Sequence, residues 1–229
     1  MQEPKWKIWL SHWVEIHIES AASDYNPHLY VSLRKGRYQL STAHAIYSYG
    51  DLYSNFDRAF QRLDFDQLLG KQVLLLGFGL GSIPIILEQK MGLNLDYTVV
   101  EIDEVVLDLA NRYTLPDLQS NIQTIRTDAE AFVAQCTDTF DLICMDIFLD
   151  DTVPERFESL AFLRQLRALL APNGILLYNR LAAKSKDIDQ TFDFYQQRFL
   201  SVFPKGTYLN VGVNWILLNR KAALKTSAT

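Results

Sequence analysis

The chain is poor in several features that mark whole classes of protein. Of its 229 residues only Cys136 and Cys144 are cysteines, which excludes the disulfide framework of small secreted domains. No apolar run approaches the ~18 residues that a membrane-spanning helix needs. The formal net charge is -5, and no basic stripe offsets it, which argues against a nucleic-acid partner. We therefore expect a cytoplasmic protein with neither a membrane nor a nucleic-acid partner.

Glycine is also scarce, but three of the ten glycines fall close together, at Gly77, Gly79 and Gly81. The apolar run before them has the length of a buried strand, and a helical pattern follows. A second apolar run ends in an acid, Glu101, about twenty residues further on. Glycines let a backbone approach a ligand closely, and a carboxylate in this place can accept both hydroxyls of a ribose. The pattern predicts a βαβ unit that binds a nucleoside.

The rest of the chain alternates short apolar runs with helical patterns. This alternation predicts a doubly wound α/β fold, with a seven-stranded, mostly parallel sheet covered by helices and a terminal hairpin at one edge. The predicted strands are 73–76, 97–100, 122–125, 140–145, 175–178, 207–211 and 214–219. We predict a small antiparallel β domain over 1–49, the main domain over 50–220 and a flexible tail over 221–229.

Three tryptophans, Trp6, Trp9 and Trp13, lie in an N-terminal segment that is rich in aromatic and β-branched residues. Because such residues favour strands, the segment 6–18 predicts the first strand of the small domain. We expect the indole rings to pack against the main domain, and a dimer surface is the alternative.

Acids follow three consecutive strands of the predicted parallel sheet, at the edge where such sheets bind ligands. Glu101 follows the second strand, Asp128 the third and Asp146 the fourth. Asp128 also precedes a helix, so it is either an N-cap or an acceptor for an adenine amino group. A dinucleotide site is disfavoured because Ser82 occupies the position of the last glycine in that fingerprint.

The loop 77–81 and the motifs at 100–103, 127–129, 140–146 and 170–174 resemble the class I S-adenosylmethionine-dependent methyltransferase fold. More closely, they resemble its spermidine synthase branch, and the likeness covers nearly the whole chain. It implies S-adenosylmethionine or its decarboxylated form as cofactor, a small-molecule acceptor and a homodimer. No metal is expected, because no cluster of histidine, cysteine or acid has ligand spacing.

The resemblance also assigns roles at the nucleoside end of the site. Glu101 would bind the ribose hydroxyls, and Ile102 would pack on the adenine ring. Asp128, assisted by Ala129, would meet the adenine amino group.

A second group of residues would surround the sulfonium side chain of the cofactor. By the same resemblance, Gly77 and Gly79 would let the backbone approach that side chain. Gly81 and Asp146 complete the predicted cofactor-binding set.

Four positions depart from the spermidine synthase pattern. Leu80 stands where those enzymes carry an aspartate in the first loop, and Leu149 where they carry the second aspartate of D-x-x-D-P. Ala45 and Ile46 replace an acid pair near the N-terminus. A polyamine carries several positive charges, and an unpaired buried ammonium costs several kcal/mol. The departures therefore argue against ordinary aminopropyl transfer to a polyamine.

Candidate catalytic residues lie near these departures. Asp146, Asp150 and Asp151 are candidate bases, although the last two are equally explained as solvated loop acids. Tyr49 lies at the junction of the two predicted domains, and Arg180, at a strand end, is a candidate partner for a carboxylate.

Three hypotheses follow for the function. The first is transfer of a methyl group from S-adenosylmethionine to a small acceptor. The second is aminopropyl transfer from the decarboxylated cofactor to an amine. The third is a catalytically silent relative, a binding or scaffold protein that keeps Glu101 and Asp128 beside a closed or apolar acceptor pocket.

Overall fold

The computed structural model describes residues 3–43, 45–149 and 152–225. Its strands, numbered in chain order, are β1 Ile16–Ala21, β2 Leu29–Arg34, β3 Arg37–Ser41, β4 Ile46–Ser48, β5 Gln72–Leu76, β6 Asp96–Glu101, β7 Asn121–Arg126, β8 Phe140–Met145, β9 Leu170–Leu181, β10 Thr207–Asn210 and β11 Asn214–Leu218. Its helices are α1 Lys5–Leu10, α2 Ser54–Arg62, α3 Ser82–Ile85, α4 Glu104–Tyr113, α5 Ala129–Gln135, α6 Leu160–Ala168, α7 Ser185–Phe194 and α8 Leu200–Val202.

The strands form two sheets. The N-terminal sheet is antiparallel with the order β1-β2-β3-β4, and the larger sheet has seven strands in the order β10-β11-β9-β8-β5-β6-β7. Strands β9, β8, β5, β6 and β7 pair in parallel, while β10 and β11 add an antiparallel edge. The predicted doubly wound fold with seven strands is confirmed.

The larger sheet is buried on both faces, which explains why its strands read as continuous apolar runs. Along β5, Val73 and Leu75 belong to one core cluster, whereas Leu74 and Leu76 belong to the other. Successive side chains of a strand point to opposite faces, so one strand supplies both cores.

The N-terminal segment differs from its prediction, because α1 is a helix and the first strand begins only at Ile16. Trp6, Trp9 and Trp13 are 65%, 67% and 77% exposed, so the expected burial of their rings is wrong. Trp6 and Trp9 lie three residues apart on α1, and Trp13 lies in the turn that follows the helix. The helical spacing of Trp6 and Trp9 is outweighed by the aromatic and β-branched composition, which favours a strand.

The C-terminal segment also differs from its prediction. Residues 221–223 form a 3₁₀ turn, Ala223 is fully buried, and Leu224 pairs with Leu63 in an isolated bridge. The predicted flexible tail from 221 is therefore wrong as far as Lys225, because this segment packs beside α2. Over the described ranges, no helix combines the length and apolar character needed to cross a bilayer.

Candidate active site

A cavity of about 780 Å³ lies between the carboxyl ends of the large sheet and the small N-terminal sheet. Its volume falls within the range of about 300–1,000 Å³ that small-molecule sites occupy. The sequence-predicted residues that line it are Tyr49, Gly77, Gly79, Glu101, Ile102, Asp128, Ala129 and Asp146. Gly81 does not line the cavity, and Asp150 and Asp151 lie outside the described residues.

The glycine loop between β5 and α3 is shaped by its protein neighbours. Gly77 has φ of 84°, and a Cβ there would collide with the carbonyl oxygen of Asp146. At Gly79 a Cβ would lie 2.8 Å from the Cβ of Ser48 on the small sheet. A Cβ at Gly81 would meet the Phe78 ring at 2.9 Å. Gly77 and Gly79 thus let β8 and β4 approach one loop that lines the cavity.

Glu101, at the end of β6, fastens this loop to the sheet. Its Oε2 accepts the backbone N–H of Phe78 and its Oε1 that of Asp103, both at 3.0 Å. Burial raises the pKa of Glu101, and these backbone hydrogen bonds act in the opposite direction. A carboxylate offers about four lone-pair directions, so about two remain for a pair of ligand hydroxyls.

Asp103, two residues after Glu101, connects the small domain to the same edge of the large sheet through hydrogen bonds. Its Oδ1 caps α4 by accepting the N–H of Val105, while its Oδ2 accepts from the side chains of Ser23 and Asn26. Asp103 is 2% exposed, so its acceptors are used by the protein itself.

Asp128 is the N-cap of α5. Its Oδ1 accepts the N–H groups of Glu130 at 2.9 Å and Ala131 at 3.1 Å. Its Oδ2 forms an ion pair with Arg156 at 2.7 Å. The capping alternative is confirmed, while contact with an adenine amino group, which would share Oδ2 with Arg156, stays a prediction.

Asp146, at the end of β8, has two side-chain partners. Asn179 donates from Nδ2 to its Oδ1 at 2.8 Å, and the Tyr53 hydroxyl donates to its Oδ2 at 3.1 Å. Burial raises the pKa of Asp146 to about 6, against the lowering effect of both hydrogen bonds. A buried carboxyl with this pKa in a cavity is suited to exchange protons near neutral pH.

The tyrosine that donates a hydrogen bond to Asp146 is Tyr53, which was not among the predicted catalytic residues, whereas Tyr49 was. The Tyr49 hydroxyl is buried without a hydrogen-bond partner in the described chain. Burial raises the pKa of Tyr49, and the charged groups with smaller effects on it are Arg34, Glu15, Arg37 and Asp51. None of these four residues is among those that line the cavity. Tyr53 was missed because nothing in the sequence around it signals a partner 93 positions away.

Only one of the three polar residues at the end of β9 lines the cavity, and that residue is Asn179. Tyr178 is fully buried and donates its hydroxyl to the Phe157 carbonyl at 3.0 Å. Arg180 forms an ion pair with Glu158, and its guanidinium lies over a core aromatic ring. The prediction that Arg180 meets a ligand carboxylate is therefore wrong, because a protein carboxylate neutralises it away from the cavity.

The four departures from the spermidine synthase pattern have different surroundings. Leu80 is fully buried in the core, so its side chain does not face a ligand. Ala45, Ile46 and Leu149 line the cavity, and Leu149 is 55% exposed.

The order of the strands divides the cavity into two halves. The half at the ends of β5, β6 and β7 contains Gly77, Glu101 and Asp128, and we call it the donor half after the cofactor that the sequence predicts. The half at the ends of β8 and β9 and beside α2 contains Asp146 and Asn179, and we call it the acceptor half. The donor half fits a nucleoside, because it combines an acid with unused acceptor capacity and a backbone that approaches without side chains.

Comparison with known proteins gives a family match over most of the larger sheet. Residues 69–221 match the model of the spermine/spermidine synthase domain. A probable polyamine aminopropyl transferase of Bifidobacterium longum is 33% identical over 106 residues, which are 46% of this chain and 23% of that protein. The chain spans less than half the length of the curated relatives it matches.

Two solved structures share the fold. Spermidine synthase from Thermotoga maritima has a TM-score of 0.65 at 15% identity, covering 89% of this chain and 72% of that chain. Human methyltransferase-like protein 13, solved in complex with SAH, has a TM-score of 0.57 at 21% identity, covering 70% of this chain and 77% of that chain.

Proposed function

Because the chain belongs to the spermine/spermidine synthase family, we propose that it is a transferase acting between a donor of the S-adenosylmethionine type and an amine. In the reaction we favour, decarboxylated S-adenosylmethionine supplies the aminopropyl group. The observation that carries this proposal is the arrangement around Asp146, a base held by Tyr53 and Asn179 where the two halves of the cavity meet.

The donor supplies a carbon that is activated by the adjoining sulfonium. An amine bound as an ammonium has no free electron pair, so Asp146 first accepts one of its protons on a carboxylate oxygen. The neutral nitrogen then forms a bond to this carbon, the carbon–sulfur bond breaks with its electron pair going to sulfur, and methylthioadenosine leaves. The aminopropylated product leaves as a secondary ammonium. Most of the rate enhancement comes from holding the nitrogen in line with the carbon–sulfur bond in a cavity with little water.

Tyr53 and Asn179 are positioning residues in this proposal, since they act through Asp146. Their hydrogen bonds fix the carboxylate and limit the rise of its pKa. Buried carboxyls with a raised pKa that line a cavity are typical of catalytic sites, so Asp146 favours an enzyme over a silent relative.

The pH dependence of transfer tests the role of Asp146. We expect the rate to rise with pH through about 6, where Asp146 becomes deprotonated, and then to level off. Tyr53→Phe removes a hydrogen bond that lowers the pKa of Asp146, so the same rise should move to higher pH. Tyr30→Phe, outside the cavity, should leave it unchanged. The measurement is the initial rate of transfer between pH 5 and 9 for the parent and both variants. If the pH profile of Tyr53→Phe were identical to that of the parent, Tyr53 would have no role in setting the pKa of Asp146.

Methyl transfer is the second candidate, and the burial of Leu80 favours it. Asp103 and Asp128 in the donor half are engaged by the protein, and Glu101 would be engaged by the ribose. Without an acid in the first loop, the described donor half therefore offers no further carboxylate to the terminal ammonium of the decarboxylated donor. Intact S-adenosylmethionine carries its own carboxylate, which offsets that charge.

A further inference from the structure

We infer that the acceptor is a primary amine with one positive charge and an apolar tail, rather than a polyamine. This inference rests on the proposed function and specifies its acceptor. Three features of the acceptor half carry it: the number of carboxylates, the apolar rim and the arginine at its far side.

The carboxylates of the described cavity wall are concentrated in the donor half. Glu101, Asp103 and Asp128 lie there, and each already accepts hydrogen bonds from the protein. Asp146 is the one carboxylate that the described residues contribute to the acceptor half. One carboxylate balances one ammonium, and a second ammonium would lose hydration without gaining a partner.

The rim of the acceptor half is apolar. Ile46, Leu52, Leu149 and Val213 line the cavity and are 47%, 37%, 55% and 63% exposed. They come from four separate segments of the chain, and the fold places all four on the wall of one cavity. Large side chains exposed together at a cavity mouth mark a surface that an apolar ligand covers.

Arg58 on α2 adds a positive charge to this half. It lines the cavity, and its Nη1 donates to the carbonyl oxygen of Val211 at 2.7 Å, which fixes the guanidinium beside the turn between β10 and β11. A second ammonium on the acceptor would meet this like charge. An alkyl tail would instead meet Val211 and Val213.

Asn179 supplies a complementary feature near the base. Its Nδ2 is committed to Asp146, its side chain is fully buried, and its Oδ1 has no partner in the described chain. A buried oxygen that accepts no hydrogen bond costs free energy of folding. A primary ammonium has three N–H groups, so one can donate to Asp146 and another to Asn179 Oδ1.

The test compares butylamine with diaminobutane, which have the same chain length and differ by one ammonium. Binding to the protein saturated with methylthioadenosine is measured by calorimetry, and transfer is measured separately with each donor. We expect butylamine to bind at least about tenfold more tightly, and each further methylene to add about fourfold. Equal or tighter binding of diaminobutane, or binding of neither amine, would overturn the inference. Absence of transfer despite tight butylamine binding would overturn the proposed function alone.

Two sets of variants sharpen this comparison. Ile46→Glu places a carboxylate at the rim and should shift the preference towards diaminobutane by about three- to fivefold, whereas Ile46→Gln, without the charge, should not. Asp150→Asn combined with Asp151→Asn should leave the preference for butylamine intact. A diamine preference in the parent that this double variant abolishes would show that the two loop acids hold a second ammonium, against the inference.

Discussion

Asp146→Asn is expected to lower the rate of transfer by about 10²–10⁴-fold, the usual contribution of a positioned general base. The amide keeps the size of the side chain but cannot accept the proton of the attacking amine. Donor binding should change little, because the proposed adenosine site lies at the ends of β5, β6 and β7. Initial rates at saturating donor, together with calorimetric titration of the donor, measure the two effects separately.

The same substitution should raise the free energy of unfolding at pH 7. The pKa of Asp146 is raised from 3.8 to about 6 in the folded state, so its ionised form at pH 7 opposes folding. Removal of that charge should stabilise the fold by about 1–3 kcal/mol. The difference should vanish only below about pH 3, where the parent carboxyl is protonated in both the folded and the unfolded state.

Asp141→Asn is the matched control on the same strand. Asp141 is 7% exposed, and its Oδ2 accepts the N–H of Gln72 at 3.1 Å, at the opposite end of β8 from the cavity. Its substitution should cost about 1 kcal/mol of stability and leave transfer within about twofold of the parent. Asp146→Asn with parental activity would contradict the assignment of the base.

Glu101→Gln is expected to weaken donor binding by about 100-fold. A carboxylate can accept both ribose hydroxyls and the two backbone N–H groups of Phe78 and Asp103 at once, whereas a carboxamide places a donor against one of them. Charge-assisted hydrogen bonds are worth about 1.5–3 kcal/mol each, which gives an effect of this size. Calorimetric titration with methylthioadenosine measures it without any need for catalysis.

Glu104→Gln controls for loss of charge in the same segment. Glu104 is an exposed residue at the start of α4, paired with Arg126 on the surface, and surface pairs contribute little. Its Kd should stay within about twofold of the parent. If Glu101→Gln bound the nucleoside as tightly as the parent, the ribose would not lie at Glu101.

The main sheet and the donor half could be predicted because their signals are local. Each buried strand is a continuous apolar run, and Glu101, Asp128 and Asp146 directly follow such runs. Parallel strands that end at one edge bring those acids together, whatever the loops between them.

The partners of Asp146 could not be predicted in the same way. Tyr53 comes from the start of α2 and Asn179 from β9, and both reach Asp146 only through the tertiary fold. Tyr49, predicted from its place at the junction of the two domains, lines the cavity, but its hydroxyl makes no hydrogen bond within the described chain. The sequence therefore indicated which segments line the cavity, but which side chain contacts Asp146 depends on side-chain directions that the sequence does not show.

The glycine loop shows a related limit. Gly77 and Gly79 are expected to allow a close approach to the sulfonium side chain, and in the structure they already allow the approach of Asp146 and Ser48. A sequence pattern indicates that space is needed without showing what fills it.

The most direct test of the central claim is the mass of the product formed from butylamine with each donor. The proposal predicts an aminopropyl adduct together with methylthioadenosine from decarboxylated S-adenosylmethionine, and no such adduct with Asp146→Asn. A methylated amine formed only from intact S-adenosylmethionine would contradict aminopropyl transfer and support the second candidate. No product from either donor, with both bound, would contradict the assignment of a transferase.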